Sequence, residues 1–354
     1  MRYRLLGGSG LRVSEIALGT MTFGEEWGWG AAKDEARHIY DAYREAGGNF
    51  IDTANVYTMG SSEQFVGEFM RGHRQEMVVA TKYTNAAPGK DANAGGNHRK
   101  SMMQAVEASL RRLGTDYIDL YWMHIWDGMT PVEEVMRGFD DLVRQGKVLY
   151  AGVSDAPAWW VAQANTLAGL RGWSKFAGLQ IEYSLLERTV ERELIPMAKA
   201  FGLTVVAWSP LKGGVLTGKY RPAAQEGKGP LKASGEDNAR YSTQMMQGFL
   251  PKRDEQERAV AALREVSAQT GRSPAQVALA WLRYREVPVI PIIGARKMAQ
   301  FEDNMASLTV EFTPAQLAQL DAATAIELGF PHDFYAMEMV RNLVHGGLRD
   351  QILA

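Results

Sequence analysis

Apolar residues along the chain fall into short runs separated by longer amphipathic stretches, and this rhythm repeats. The runs predict strands at 15–20 (EIALGT), 49–53 (NFIDT), 77–82 (MVVATK) and 117–124 (YIDLYWMH). Four more are expected at 148–154 (VLYAGVS), 178–183 (GLQIEY), 204–209 (TVVAWS) and 287–293 (VPVIPII). Between them the period lengthens to that of a helix. Ala36, Ile39, Tyr40 and Tyr43 share one face of 34–46, and Val132, Val135, Met136, Phe139 and Val143 share one face of 131–143. The strands are continuous rather than alternating, as parallel strands buried on both faces are. Eight β–α units in one chain of this length favour an α/β fold of the closed (β/α)8, TIM-barrel type, a single domain over 1–354. The opening RYRLLGGSGLRVS reads as a hairpin turning near Gly7, Gly8 and Gly10, placed to cap the bottom of the barrel.

Two stretches interrupt the rhythm. Residues 84–99 and 221–245 are Gly-rich and polar, follow the third and seventh strands, and are too long for plain connectors. Both belong to the face where barrel enzymes carry their chemistry. Segments 314–328 and 335–345 predict two additional C-terminal helices.

Composition narrows the field. The chain has 354 residues, 46% of them hydrophobic, and its 39 basic and 41 acidic residues leave a formal charge of -2. No basic excess points to nucleic acid or to an anionic membrane surface. Cysteine is absent, which excludes disulfides, thiolate zinc sites, iron–sulfur clusters and a cysteine nucleophile. His38, His73, His98, His124, His332 and His345 are scattered without metal-ligand spacing, so no metal is expected. The N-terminal segment lacks the apolar core of a signal peptide, and no apolar run approaches a membrane span. A cytoplasmic enzyme acting on a small molecule is the expectation.

Four polar side chains sit at strand ends or just beyond them: Asp52, Tyr57, Lys82 and His124. Singly, each has an ordinary explanation as a loop cap, a packed aromatic, a strand-end lysine or a core histidine. Together they are coherent, because neighbouring parallel strands converge on one mouth. A phenol is a poor acid at neutral pH, but an adjacent ammonium stabilises its phenolate. A carboxylate keeps that ammonium charged, and an imidazole can orient a carbonyl oxygen. The four make a proton-donating site for a carbonyl undergoing reduction.

At this point the chain resembles the aldo-keto reductases along nearly its whole length. The motifs are LGGSGLRVSEIALGTMTFG, FIDTANVY, VVATK, SLRRLGTDYIDLYWMH, AGVSD, LQIEYSLLER, AWSPLKGGVLTGKY and IGARKMAQFEDN, in the family's order. The resemblance, to a bacterial-type NADP-dependent member, implies that Tyr57 is the general acid, Lys82 its partner, Asp52 the holder of Lys82, and His124 the group that orients substrate. It implies NADP(H) bound without a G-x-G-x-x-G fingerprint, which the chain lacks. Ser154, Asp155 and Gln180 would hold the nicotinamide carboxamide, with Trp208 stacked on the ring and backbone of Gly19, Thr20 and Met21 alongside, near Asp52. Ser209, Leu211 and Gly213 would approach the pyrophosphate. Gly294, Ala295 and Arg296 would meet the 2′-phosphate, and Gln300, Asp303 and Asn304 the adenine end.

Asp155 departs from the asparagine common in the family; it can accept from the carboxamide but, when ionised, cannot donate to it. Arg296 favours NADP over NAD, since a guanidinium matches phosphate geometry. Trp27, Trp29 and Trp126 are candidate walls of an apolar substrate pocket. The stretch GGVLTGKY only imitates a P-loop, with Tyr220 where a magnesium-binding hydroxyl belongs. Two other readings remain open from sequence: a Schiff-base aldolase using Lys82, and a non-enzymatic redox-sensing regulatory subunit.

Overall fold

The computed structural model describes residues 1–87, 89–218, 220–221, 232–233 and 253–352. An antiparallel hairpin, β1 (Tyr3–Leu5) and β2 (Arg12–Ser14), precedes the main sheet. The barrel strands follow: β3 (Ala17–Gly19), β4 (Phe50–Asp52), β5 (Val78–Tyr83), β6 (Ile118–Met123), β7 (Val148–Ser154), β8 (Phe176–Glu182) and β9 (Thr204–Trp208). A two-residue pairing joins β10 (Tyr220–Arg221) to β11 (Lys232–Ala233), and β12 (Val289–Ile293) closes the barrel by pairing in parallel with both β9 and β3. The expected (β/α)8 architecture is therefore the observed one, each barrel strand lying within two residues of its expected bounds.

Alternation along the strands sorts side chains into two layers. Val79, Tyr83, Tyr121, Met123 and Val153 face outward into the layer of packed helices. Phe50, Val78, Ala80, Leu120, Trp122, Val206 and Ile290 face inward and fill the barrel. Both layers are buried, which is why the strands read as continuous apolar runs. The helix Lys33–Glu45 buries Ala36, Ile39, Tyr40 and Tyr43, the face expected from its spacing. Trp122 occupies the middle of the barrel, and Gly152 and Gly178 make room for it: a Cβ on them would approach its ring to 2.3 and 2.8 Å.

The hairpin closes the bottom. Leu6 and Val13 join the inward-facing core, and Gly7 N–H donates to Thr204 Oγ1 (2.7 Å) at the start of β9. Gly7 has φ +55°, and a Cβ there would stand 2.1 Å from the Ala177 carbonyl oxygen, so only glycine fits. At the other terminus the structure shortens and divides what the sequence suggested. The 314–328 segment is helical only over Pro314–Ala323, and the 335–345 segment becomes His332–Ala336 and Glu338–Val344, broken at an extended Met337. Of the 221–245 stretch, only Arg221, Lys232 and Ala233 belong to the described residues. Among the described residues no helix is long and apolar enough to cross a membrane.

Because the bottom plug lies a full strand length from the mouth, stability and chemistry are separable here. Leu6→Ala should cost about 2–5 kcal/mol, read as a lower urea midpoint. Cofactor and substrate affinity of the folded fraction should stay unchanged; a loss of either would mean that the two ends are coupled.

Candidate active site

The inward alternation that fills the barrel ends in polar residues at its C-terminal rim. Phe50 is followed two residues on by Asp52, Ala80 by Lys82, Trp122 by His124, Gly152 by Ser154, Gly178 by Gln180 and Val206 by Trp208. The side chains that the sequence singled out are thus the top layer of the same stack. Tyr57 reaches it from a 3-10 turn, Tyr57–Gly60, in which Thr58 and Met59 take left-handed φ values of 45° and 55°. Thr58 Oγ1 pins that turn by donating to the Phe23 carbonyl (2.7 Å) and accepting from Ser62 N–H (3.1 Å).

The four residues meet. Lys82 Nζ donates to Asp52 Oδ1 (2.5 Å), to the Thr53 carbonyl (2.8 Å) and to Tyr57 Oη (3.2 Å). Lys82 is completely buried, and burial opposes its charge; the Asp52 carboxylate and the Tyr57 phenol overcome that and hold its pKa above the ordinary lysine value. The second Asp52 oxygen, Oδ2, accepts from Gln180 Nε2 (2.8 Å) across the barrel. His124 stands edge-on to Tyr57, ring centroids 6.0 Å apart, and Asn85 Nδ2 donates to its Nδ1 (3.1 Å). Burial, reinforced by the Lys82 charge, holds His124 well below the ordinary imidazole pKa, so the ring is neutral.

Trp27 packs edge-on against Tyr57 with centroids 6.3 Å apart, and Trp29 packs against Trp27 at 5.6 Å. Trp126 lies on a different loop, its ring against Trp159 (5.8 Å) and its backbone N–H donating to the Asp155 backbone carbonyl (3.3 Å). Two of the three tryptophans therefore form a pair against Tyr57, and the third packs on a different loop.

Comparison with known proteins accords with this geometry. The pattern of the aldo/keto reductase family matches residues 15–325. An aryl-alcohol dehydrogenase [NADP(+)] of Phanerodontia chrysosporium is 40% identical over 362 residues, covering 97% of this chain and 91% of that protein. A norsolorinic acid reductase of Emericella nidulans is 39% identical over 336 residues, 92% of this chain and 82% of its own. The chain belongs to the aldo/keto reductase family. It is an oxidoreductase of that family, and the named relatives are fungal, so they lend no support to the bacterial-type branch.

In this aldo/keto reductase the remaining expected residues surround the same mouth. Gly19, at the end of β3, and Thr20 are buried; Thr20 N–H and Oγ1 both bond the Asp52 carbonyl (2.9 and 3.1 Å), and Met21 follows. Ser154 is buried, and its hydroxyl favours the charged form of the neighbouring Asp155 carboxyl. Asp155, at a left-handed φ of 44°, accepts from Trp208 Nε1 (3.0 Å). Ser209 is also left-handed, and its Oγ accepts from Gly213 N–H (3.3 Å); Leu211 lies between them. Beyond β12, Gly294 is exposed, a Cβ there meeting only Thr22 Cγ2 at 3.9 Å, while the Ala295 carbonyl accepts from Thr22 Oγ1. Arg296 N–H donates to Gln300 Oε1 (2.9 Å), and Asn304 Nδ2 to the Gly294 carbonyl (3.4 Å). Asp303 accepts from Ser273 Oγ and Gln276 Nε2, bracing the capping box of helix Pro274–Arg283.

Sequence reasoning missed three partners: Asn85 on His124, the Gln180 bond to Asp52, and Lys212. Lys212 is buried with φ 47°, and its Nζ bonds Glu182 Oε1 (2.8 Å) with Glu187 Oε2 at 3.5 Å. Its presence inside AWSPLKGG was the only available signal.

Asp155 generates a pH prediction. Burial lifts its carboxyl to about 6, with Glu182 adding to the rise and the Trp208 bond opposing it. A raised folded-state value means that the fold holds this proton more tightly than the unfolded chain does. That contribution is full below the ordinary carboxylate value of about 4 and is lost as the pH climbs through 6. Asp155→Asn should therefore stabilise the protein at pH 7.5 by on the order of 1–3 kcal/mol. In urea unfolding the gain should shrink toward zero by about pH 4; a gain independent of pH would refute the assignment.

Proposed function

We propose that the protein is an NADPH-dependent reductase that turns an aryl aldehyde or ketone into its alcohol, and that also runs the reverse oxidation. The observation that carries this reading is the Lys82 ammonium, buried and hydrogen-bonded to both the Asp52 carboxylate and the Tyr57 phenol. A bound NADPH supplies the hydride. Tyr57 Oη gives its proton to the carbonyl oxygen, and the resulting phenolate faces Lys82 Nζ at 3.2 Å. Asp52 keeps that ammonium charged, and Gln180 keeps Asp52 in place. His124, neutral, is a hydrogen-bonding group for the carbonyl rather than a competing acid.

The residues present fit a nicotinamide dinucleotide laid across the mouth. The buried Ser154 hydroxyl at the end of β7 suits the carboxamide, with Asp155 and Gln180 beside it and Trp208 placed for stacking. The left-handed turn through Ser209 and Gly213, with Leu211, suits the pyrophosphate, and the space around Gly294 suits a phosphate that Arg296 would pair with. Gln300, Asp303 and Asn304 follow on the adjacent helix. The aryl substrate is suggested by the name of the Phanerodontia chrysosporium relative and by the Trp27–Trp29 wall against Tyr57. A Schiff-base role for Lys82 is disfavoured, because an amine held as a buried ammonium is a poor nucleophile.

Tyr57→Phe should lower the rate of aryl aldehyde reduction by about 100-fold or more while NADPH affinity, followed by tryptophan fluorescence, stays unchanged. Loss of cofactor binding would instead make the tyrosine structural. Arg296→Ala should weaken NADPH binding by on the order of 10- to 100-fold and leave NADH binding alone. Equal losses for the two cofactors would remove Arg296 from the 2′-phosphate.

A further inference from the structure

His124 is a neutral ring in a buried setting, so one nitrogen carries a proton and the other a lone pair, and the neighbours decide which. Nδ1 faces the side-chain amide of Asn85, whose Nδ2 donates to it at 3.1 Å. An Nδ1 that accepts leaves the proton on Nε2. Among the described residues Nε2 has no hydrogen-bond partner, and it is not sealed from solvent as the orphaned polar atoms of the core are. It is the free corner of the ring.

We propose that Asn85 is a positioning residue of this site, fixing His124 as the tautomer whose Nε2–H donates to the carbonyl oxygen of the substrate. The role rests on the reductase reading above. A carbonyl oxygen presents lone pairs and needs a donor; the opposite tautomer would set lone pair against lone pair.

The surrounding backbone is organised around this contact. Thr84, between β5 and Asn85, has φ +96°, which for a β-branched residue is a strained conformation. That turn takes Asn85 out of the line of β5. Thr84 Oγ1 in turn accepts from Asn97 Nδ2 (2.9 Å) and from the His124 backbone N–H (3.3 Å). The Asn85 carbonyl accepts from Asn55 Nδ2 (2.9 Å), and Asn55 N–H donates to the Lys82 carbonyl (3.3 Å). Asn55 lies two residues before Tyr57, so one frame of loops after β4, β5 and β6 sets both the proton donor and the orienting ring. A loop serving only as a connector would not need a strained threonine at its first residue.

The test is nitrogen NMR of 15N-histidine-labelled protein without ligands at pH 7, with His124 assigned by the signal missing from His124→Asn. The expected wild-type spectrum has an unprotonated Nδ1 and a protonated Nε2. In Asn85→Asp the new carboxylate accepts instead of donating, and the proton should move to Nδ1. The rate of aldehyde reduction should then fall by about 10- to 100-fold, with NADPH affinity unchanged. Asn85→Ala should give a mixture of tautomers and a smaller fall. A wild-type ring protonated on Nδ1, or a tautomer unmoved in Asn85→Asp, would overturn the proposal. If the tautomer shifts as expected but the wild-type protein reduces no carbonyl with NADPH, the reductase reading fails and the hold of Asn85 on the ring stands.

Discussion

The ammonium of Lys82 is the constraint around which this molecule closes. It is entirely withdrawn from water, and a charge in that position is tolerable only if it is paired and fully hydrogen-bonded. Asp52, the Thr53 carbonyl and Tyr57 Oη provide the three acceptors, one for each ammonium proton. The carboxylate that balances it is tied in turn to Gln180, which arrives on β8 from the far side of the barrel. Losing one partner of such a buried pair commonly costs about 3–5 kcal/mol, so the closed barrel and the charged site support one another. The contacts that make the lysine bearable in the interior are those that set its charge against the Tyr57 phenol.

Along its axis the barrel is graded from apolar to polar. The hairpin residues Leu6 and Val13 seal one end, Trp122 fills the waist in the room left by Gly152 and Gly178, and the rim carries the titratable groups. Burial and charged neighbours together set the charge state of each rim group. Lys82 is kept charged by Asp52, His124 is kept neutral by burial and by Lys82, and the Asp155 carboxyl is pushed up to about 6 by burial. Lys212 forms a second buried cation, balanced by Glu182 and Glu187. The separate settings come from one short layer of side chains, because inward-pointing residues of adjacent strands differ in depth and in partners.

Much of this was legible in the chain. Continuous apolar runs identify strands buried on both faces, and their count and spacing identify the barrel, since burial on both sides is a property that each strand carries alone. Asp52, Lys82 and His124 were legible for a related reason: each continues, at a spacing of two, the inward face of its own strand. Tyr57 was legible through FIDTANVY, although its place depends on left-handed Thr58 and Met59, which no local preference announces.

Other features were decided only by tertiary structure. Gln180 and Asp52 are separated by 128 positions and meet because the sheet closes on itself. Asp155 and Trp208 meet across β7, β8 and β9, and Lys212 finds Glu182 by the same convergence. The strained Thr84 and the amide of Asn85 beneath His124 exist because three loops must share one rim, and the break at Met337 interrupts an otherwise helical pattern. Periodicity records what each segment must bury, so the sequence by itself determined the strands, the barrel and the residues that crown it. Which of those residues touch, and so which proton each one holds, is set by distances that appear only when the last strand pairs with the first.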